Sequence, residues 1–358
     1  MPAMTVTGST FTGSRATVSL PTSAALALLE EHTGVVIPVY FRPDADPAVA
    51  RATLHDTVML FVRELRSPRS ICLSVDGSLL AEQVAREAAA TFGVRLVVSP
   101  ENRGKLAALA AGVTALLENP NLRYLAMVDA DGDHFANELL NFVRAAEHVA
   151  EATGNDRLLA LGNRSSRYRP LGLLRAEGEE LANRMLMDAL VYDAVAAGKP
   201  LMLQFLTAYD PLPDFHSGYK CFSRRSAEQV FTAPPALAGC TPDAYYRHAI
   251  EAVMVVEAHK GGATLLAVNR RTFDEQPISS FASINRIRLA ADLILWPCKR
   301  LGVPGPFVAQ WLDNHLPALL LGALVPQGRD ELLAIRDQVR AEYGLPPGPP
   351  DIIRPDFV

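Results

Sequence analysis

The chain has 358 residues, a formal net charge of -5 at pH 7 and a hydrophobic share of 49%. This length is sufficient for one large domain or two smaller ones. The net negative charge argues against a general nucleic-acid-binding protein, because affinity for a duplex depends on clustered Lys and Arg. The four cysteines form no CxxC pair, which argues against a zinc site or a disulfide framework and favours a cytoplasmic location.

Strand-like and helix-like segments alternate through the first half of the chain. Strands are predicted at 35–40, 70–75, 95–98 and 124–128, and helices at 47–65, 80–92 and 106–117. This alternation predicts an α/β protein with a mostly parallel sheet flanked by helices. Tyr40, Asp76 and Asp129 each end or follow a strand, so we expect all three at one edge of the sheet, where a nucleotide binds.

The segment 124–134 joins an apolar run to three carboxylates at alternate positions, Asp129, Asp131 and Asp133. A buried strand explains the apolar run. Three like charges at its end need a neutralising partner, and a divalent cation with oxygen ligands is one. The alternative is a solvated acidic turn.

The second half of the chain is less regular. Strands are predicted at 158–161 and 265–269, helices at 176–197 and 243–260, a basic loop at 162–169, and a turn, strand and helix start within 214–225. Segment 316–325 is about half the length that crosses a bilayer, so no membrane span is predicted. A core or dimer helix is favoured there over a helix on a membrane surface.

The ends of the chain differ in composition from its centre. Residues 1–21 are rich in Ser, Thr and Gly without a signal-peptide core, and we expect them to be mobile. A helical C-terminal extension is predicted at 276–343. A proline-rich tail at 344–358 should be extended.

Six short sequence motifs occur along the chain in an order that is typical of one protein family. They are Val35–Tyr40, Val75–Ser78, Asn102–Lys105, Val128–Gly132, Gly162–Arg164 and Ser217–Arg224. Across residues 34–275 the chain resembles nucleotide-sugar glycosyltransferases of the GT-A fold, family 2 type, and most of all the dolichyl-phosphate glucosyl- and mannosyltransferase branch. The resemblance implies a GT-A (Rossmann-like) catalytic domain at 22–275. Its nucleotide half would cover about 34–135 and its acceptor half about 155–275.

The resemblance also implies roles for single residues. Mg²⁺ or Mn²⁺ would be held by Asp131 of the Asp-x-Asp (DXD) motif, with Asp129 and Asp133 as further ligands. The residues implied in binding the nucleotide sugar are Pro38, Tyr40, Asp76, Asn102, Gly104, Lys105, Asp129, Ala130 and Asp131. Both Asp76 and Lys105 also have a purely structural interpretation. Asp76 could belong to an ordinary turn, and Lys105 could be a solvated residue at the start of a helix.

For the acceptor, the resemblance implies contacts from Arg164, Ser217, Gly218 and Lys220. Guanidinium groups pair with phosphate or carboxylate, so the basic loop predicts an anionic acceptor. The implied catalytic residues are Glu251, Asp214 and His216. Glu251 would order or deprotonate the reacting group, whereas His216 could be a base, a metal ligand or only a polar turn residue.

The predicted function is therefore a metal-dependent glycosyltransferase that uses a UDP- or GDP-sugar, with a homodimer as one arrangement. The first alternative is a nucleotidyltransferase of similar fold, which should carry a glycine-rich loop after the first strand. Residues 38–43 contain no glycine, which disfavours it. The second alternative is a non-catalytic sugar-nucleotide-binding protein. Loss of the Asp-x-Asp pair would favour this alternative, but the pair is intact. Although the resemblance is to enzymes with a lipid-phosphate acceptor, a lipid acceptor is not predicted for this chain.

Overall fold

The computed structural model describes residues 21–272 and 285–352. Its centre is a seven-stranded sheet of order β3-β2-β1-β4-β6-β5-β7. The strands are β1 (Thr33–Val39), β2 (Ile71–Asp76), β3 (Arg95–Ser99), β4 (Tyr124–Met127), β5 (Leu158–Arg164), β6 (Lys220–Ser223) and β7 (Thr264–Arg270). Every pairing is parallel except those of β6. The predicted α/β class with a mostly parallel sheet is confirmed.

Helices cover both faces of this sheet. They are α1 (Thr22–His32), α2 (Pro47–Glu64), α3 (Leu79–Phe92), α4 (Lys105–Leu117), α5 (Leu139–Thr153), α6 (Tyr168–Ala196), α7 (Leu203–Leu206), α8 (Arg224–Thr232), α9 (Ile250–Lys260), α10 (Arg286–Arg300), α11 (Gly305–His315), α12 (Leu321–Leu324) and α13 (Gly328–Glu342). Helices α10 to α13 form the predicted helical C-terminal extension.

The strands of the sheet centre are buried on both sides, which explains their continuous apolar runs. One face packs in a core with α2, α3 and α5, and the opposite face packs with α4, α6, α9 and α10. The polar residues that follow the strands therefore project from the carboxyl edge of β1, β2 and β4.

The antiparallel strand β6 joins the two parallel parts of the sheet. It pairs with β4 through Met127 and Lys220 and with β5 through Leu161 and Lys220. Only four residues long, it follows the turn at 214–219 directly, so it carries that turn to the same edge as the end of β4.

Several boundaries differ from the sequence prediction. β5 continues to Arg164 instead of ending at 161, because its last residues pair in parallel with β7. The predicted helix 243–260 is divided into a π-helical turn, Ala244–His248, and α9. Helices α1 and α5 were not predicted. Residues 1–20 and the end of the tail lie outside the described residues.

Within the described ranges, no helix is both long enough and apolar enough to span a bilayer. The C-terminal helices are instead joined to the rest of the chain by buried contacts. Trp296 of α10 is fully buried, and its indole N–H donates to the Ala236 carbonyl at 3.0 Å. The extension therefore packs as part of the same molecule and reaches the carboxyl edge of the sheet.

Candidate active site

A cavity of about 830 Å³ opens at the carboxyl edge of the sheet. The predicted site residues that line it are Pro38, Tyr40, Asp76, Asn102, Gly104, Lys105, Asp129, Ala130, Asp131, Asp133, Arg164, His216, Gly218 and Glu251. Three predicted residues, Asp214, Ser217 and Lys220, are not in the lining and lie beneath it, at most 1% exposed. Helices α6, α10 and α13 complete the walls.

Asp76 ends β2 and organises the loop before α4. Its Oδ1 accepts the backbone N–H of Arg103 at 2.7 Å, and its Oδ2 accepts that of Gly104 at 2.8 Å. Gly104 has φ = +105°, and a Cβ there would lie 2.4 Å from the carbonyl oxygen of Tyr246. This loop conformation therefore requires both the aspartate and the glycine.

Lys105, the first residue of α4, joins two carboxylates from distant parts of the chain. Its Nζ lies 2.7 Å from Asp129 Oδ1 and 2.9 Å from Glu251 Oε1. Burial disfavours the charged form of Lys105, but the two carboxylates outweigh burial and raise its pKa. The pKa of Glu251 is lowered for the same reason, with burial opposing and Lys105 dominating. All three groups are thus ionised near neutral pH.

Asp131 is the carboxylate whose charge is least compensated. Burial, and next the negative charge of Asp129, raise its pKa to about 6. Within the described part of the chain, no group of three or more His, Cys, Asp or Glu side chains could by itself hold a metal ion. Mg²⁺ is commonly held by one or two carboxylates together with substrate phosphates, and Asp131 with Asp129 fits that mode.

Asp133 faces a buried guanidinium. The Arg270 side chain, 2% exposed, lies with Nη1 3.3 Å from Asp133 Oδ2 and donates from Nε to Ser217 Oγ at 3.1 Å. The neighbouring His134 accepts the backbone N–H of Asp129 on Nδ1, and burial, followed by Arg270, holds its pKa well below the usual range. Neutral His134 therefore fixes the start of the carboxylate segment.

The turn 214–218 is anchored from below by Arg164. The Arg164 guanidinium binds Asp214 at 2.6 and 2.8 Å and Glu179 at 2.5 Å, and all three side chains are at most 10% exposed. At the top of the turn a Cβ on Gly218 would lie 2.3 Å from Asp129 Oδ2. The turn thus packs its backbone directly against the first carboxylate.

His216 and Lys220 are held by neighbours within the protein. His216 Nδ1 lies 2.7 Å from Asn183 Oδ1, its Nε2 is buried without a hydrogen-bond partner, and burial lowers its pKa to about 4. Lys220 Nζ donates to the carbonyls of Phe215 and Ser217, and burial lowers its pKa to about 8. Lys220 thereby closes the turn.

Sequence reasoning missed other residues at the cavity. Arg247 donates to Asn102, and His248 binds Asp292 of α10. Glu179 and Arg270 complete ion pairs with Arg164 and Asp133. The one signal was a charged residue, Arg270, directly after the strand predicted at 265–269, which the structure extends through Arg270 as the end of β7.

A family model described as Glycosyl transferase family 2 matches residues 34–231, more than half of the chain. Among solved structures, the chain is similar to glucosyl-3-phosphoglycerate synthase from Mycobacterium tuberculosis in complex with phosphoglyceric acid. That match has 16% identity and a TM-score of 0.48, and it covers 80% of this chain and 85% of that chain. No curated protein matches.

Proposed function

The chain belongs to glycosyl transferase family 2, and from this premise we propose that it transfers a sugar from a UDP- or GDP-linked donor to an anionic acceptor with the help of Mg²⁺ or Mn²⁺. The observation that carries the proposal is the carboxylate pair Asp129 and Asp131 at the end of β4. The pair lines a cavity large enough for a nucleotide sugar.

The donor's nucleoside is proposed to bind between the end of β1 and the loop after β3. Pro38 and Tyr40 line one side of the cavity there, and Asn102 lines the other. Tyr40 is 42% exposed, which leaves its ring free to stack on a base. Asp76 holds the loop through two backbone N–H groups, which supports a contribution to base binding through the loop as well as through its own carboxylate.

Asp131 and Asp129 are the proposed metal ligands, with Asp133 next to them. A bound Mg²⁺ or Mn²⁺ would supply neutralisation of the donor's diphosphate as the nucleoside diphosphate leaves. Lys105 adds a positive charge to the same place, because its Nζ already contacts Asp129. Glu251 orders Lys105 through the second ion pair.

The acceptor is proposed to bear a phosphate or carboxylate and to bind on the side of α6 and the 214–218 turn. Arginines support this: Arg175 of α6 and Arg286 of α10 line the cavity together with Arg164. Ser217, Gly218 and Lys220 shape the floor beneath the acceptor. We further propose a cytoplasmic enzyme, supported by cysteines that are all free.

Calorimetry tests the proposal with UDP-glucose, UDP-galactose, GDP-glucose and GDP-mannose, each with and without Mn²⁺. We expect one base class to bind, and Asp131→Asn to lose the metal-dependent part of the affinity with an unchanged circular dichroism spectrum. Asp156→Asn is the matched control, because Asp156 is a 62% exposed partner of Arg225. Unchanged metal-dependent binding in Asp131→Asn would contradict the metal assignment. Release of pyrophosphate from UTP or GTP supplied with a sugar 1-phosphate would indicate the nucleotidyltransferase.

A further inference from the structure

One wall of the cavity comes from the C-terminal extension, beyond the residues that the family model matches. Helix α10 contributes Arg286, Leu289 and Leu293, and α13 contributes Leu332 and Ile335. Because the donor is proposed to bind at the edge of β1, β2 and β4, this wall is the one left for the acceptor. Titratable groups on this side are therefore candidates for chemistry on the acceptor.

A histidine–aspartate pair connects this wall to the start of α9. His248 Nδ1 lies 2.6 Å from Oδ2 of Asp292, which lies in α10 and is fully buried. Arg288, one turn earlier in α10, lies 2.8 Å from Asp292 Oδ1. His248 is the last residue of the π-helical turn, a local distortion that occurs frequently at functional sites.

This pair determines which nitrogen of His248 carries the proton. The Arg288 guanidinium lies against the Asp292 carboxylate, so Oδ2 of Asp292 accepts the hydrogen bond and Nδ1 of His248 is the donor. In neutral imidazole the lone pair is then on Nε2. His248 lines the cavity with 16% of its side chain exposed, and among residues 21–272 and 285–352 its Nε2 has no hydrogen-bond partner.

Three other acid–base groups of the site, Glu251, Asp214 and His216, are not available to an acceptor. Glu251 is in an ion pair with Lys105, and Asp214 is in a bidentate pair with Arg164. Nε2 of His216 is sealed from solvent, so an acceptor cannot reach it without a rearrangement. Only His248 among these groups combines an accessible lone pair with a buried carboxylate behind the ring.

We propose that His248 is the base that deprotonates the acceptor and that Asp292 is its positioning residue. The inference rests on the proposed glycosyl transfer and specifies the nucleophile as a hydroxyl group, since a phosphate nucleophile needs no base. The acceptor O–H proton moves to Nε2 as its oxygen bonds to the anomeric carbon. The bond from that carbon to the diphosphate breaks, and the nucleoside diphosphate leaves with the electron pair. Asp292 stabilises the imidazolium that forms.

The chain supplies a matched control. His259, at the end of α9, binds Asp193 at 2.8 Å with 13% of its side chain exposed, and neither residue lines the cavity. His259→Gln therefore removes a comparable pair away from the site. Any effect of a lost histidine–aspartate pair on stability alone appears equally in this variant.

The test measures nucleoside diphosphate release from the nucleotide sugar that calorimetry identifies, with Mn²⁺ and with D-glycerate, glucose and glucose 6-phosphate as acceptors. In His248→Gln we expect kcat to fall by about 10²–10⁴-fold, with the donor Kd unchanged. Imidazole added to His248→Ala should restore part of the lost kcat. Asp292→Asn should lower kcat at least tenfold, and His259→Gln should match the parent.

The possible results distinguish failure of the His248 proposal from failure of the proposed glycosyl transfer. A parent protein that binds no nucleotide sugar overturns both. A parent that transfers sugar while His248→Gln keeps kcat within threefold overturns the inference alone. A fall in kcat that also occurs in His259→Gln, or that imidazole does not relieve, assigns His248 a structural role and likewise overturns it. If Asp292→Asn does not fold, the variants of His248, which is only partly buried, still decide whether it is the base.

Discussion

Replacement of Arg164 by methionine should destabilise the protein more than any single surface change. The substitution leaves Asp214, whose side chain is 1% exposed, without its guanidinium partner, and it leaves Glu179, 10% exposed, with Arg175 alone. Removing one partner of a buried ion pair typically costs about 3–5 kcal/mol of the free energy of unfolding. Burial opposes the charge of Asp214, and Arg164 is the main group that outweighs burial and lowers its pKa.

Urea denaturation at pH 7, followed by circular dichroism, measures this loss. The exposed pair Arg225–Asp156, with side chains 64% and 62% exposed, is the control, and Arg225→Ala should cost about 0–1 kcal/mol. The double variant Arg164→Met/Asp214→Asn should be more stable than Arg164→Met, because one buried unpaired charge is gone. A loss below about 1 kcal/mol in Arg164→Met, equal to that of the surface pair, would refute the reasoning.

Two other predictions follow from the site. Gly218→Ala should lower activity at least tenfold, because the new Cβ would lie 2.3 Å from Asp129 Oδ2 and would displace that carboxylate. Gly322→Ala is the control and should leave activity unchanged, because the nearest atom to its Cβ is 3.6 Å away. Equal steady-state rates in the two variants would contradict this prediction. Burial lowers the pKa of His216 to about 4, below its unfolded value of about 6.5. Its contribution is therefore complete above pH 6.5 and is lost as pH falls towards 4, up to about 3 kcal/mol. Urea midpoints at pH 7 and 4.5 should converge in His216→Gln, and an unchanged difference would exclude His216 as the cause.

The sheet could be predicted because its information is local. An apolar run of strand length that ends in polar residues identifies a buried parallel strand in almost any context. The end of β4 was predicted within one residue for this reason, and the alternation with helices predicted that Tyr40, Asp76 and Asp129 would share an edge. The structure places all three in the lining of one cavity.

The partners of these residues could not be predicted, because they come from distant positions. Lys105 and Glu251 are 146 residues apart, and Arg270 is 137 residues from Asp133. Arg164 illustrates the difficulty in another way. Gly162 and Asn163 are typical of a loop, yet parallel pairing with β7 extends the strand through them and buries the guanidinium.

The insertion of β6 between β4 and β5 has a consequence for how the chain folds. β4 and β5 are consecutive along the chain but are not neighbours in the sheet, and the four residues of β6 that join them follow β5 only after the long helix α6. The first four strands can pair early, and β4 then presents an open edge until β6 arrives. During synthesis from the N-terminus, the nascent chain therefore carries an aggregation-prone edge through the synthesis of roughly one hundred residues. The same closing step completes the 214–218 turn, so the ability to bind substrate should appear last in refolding.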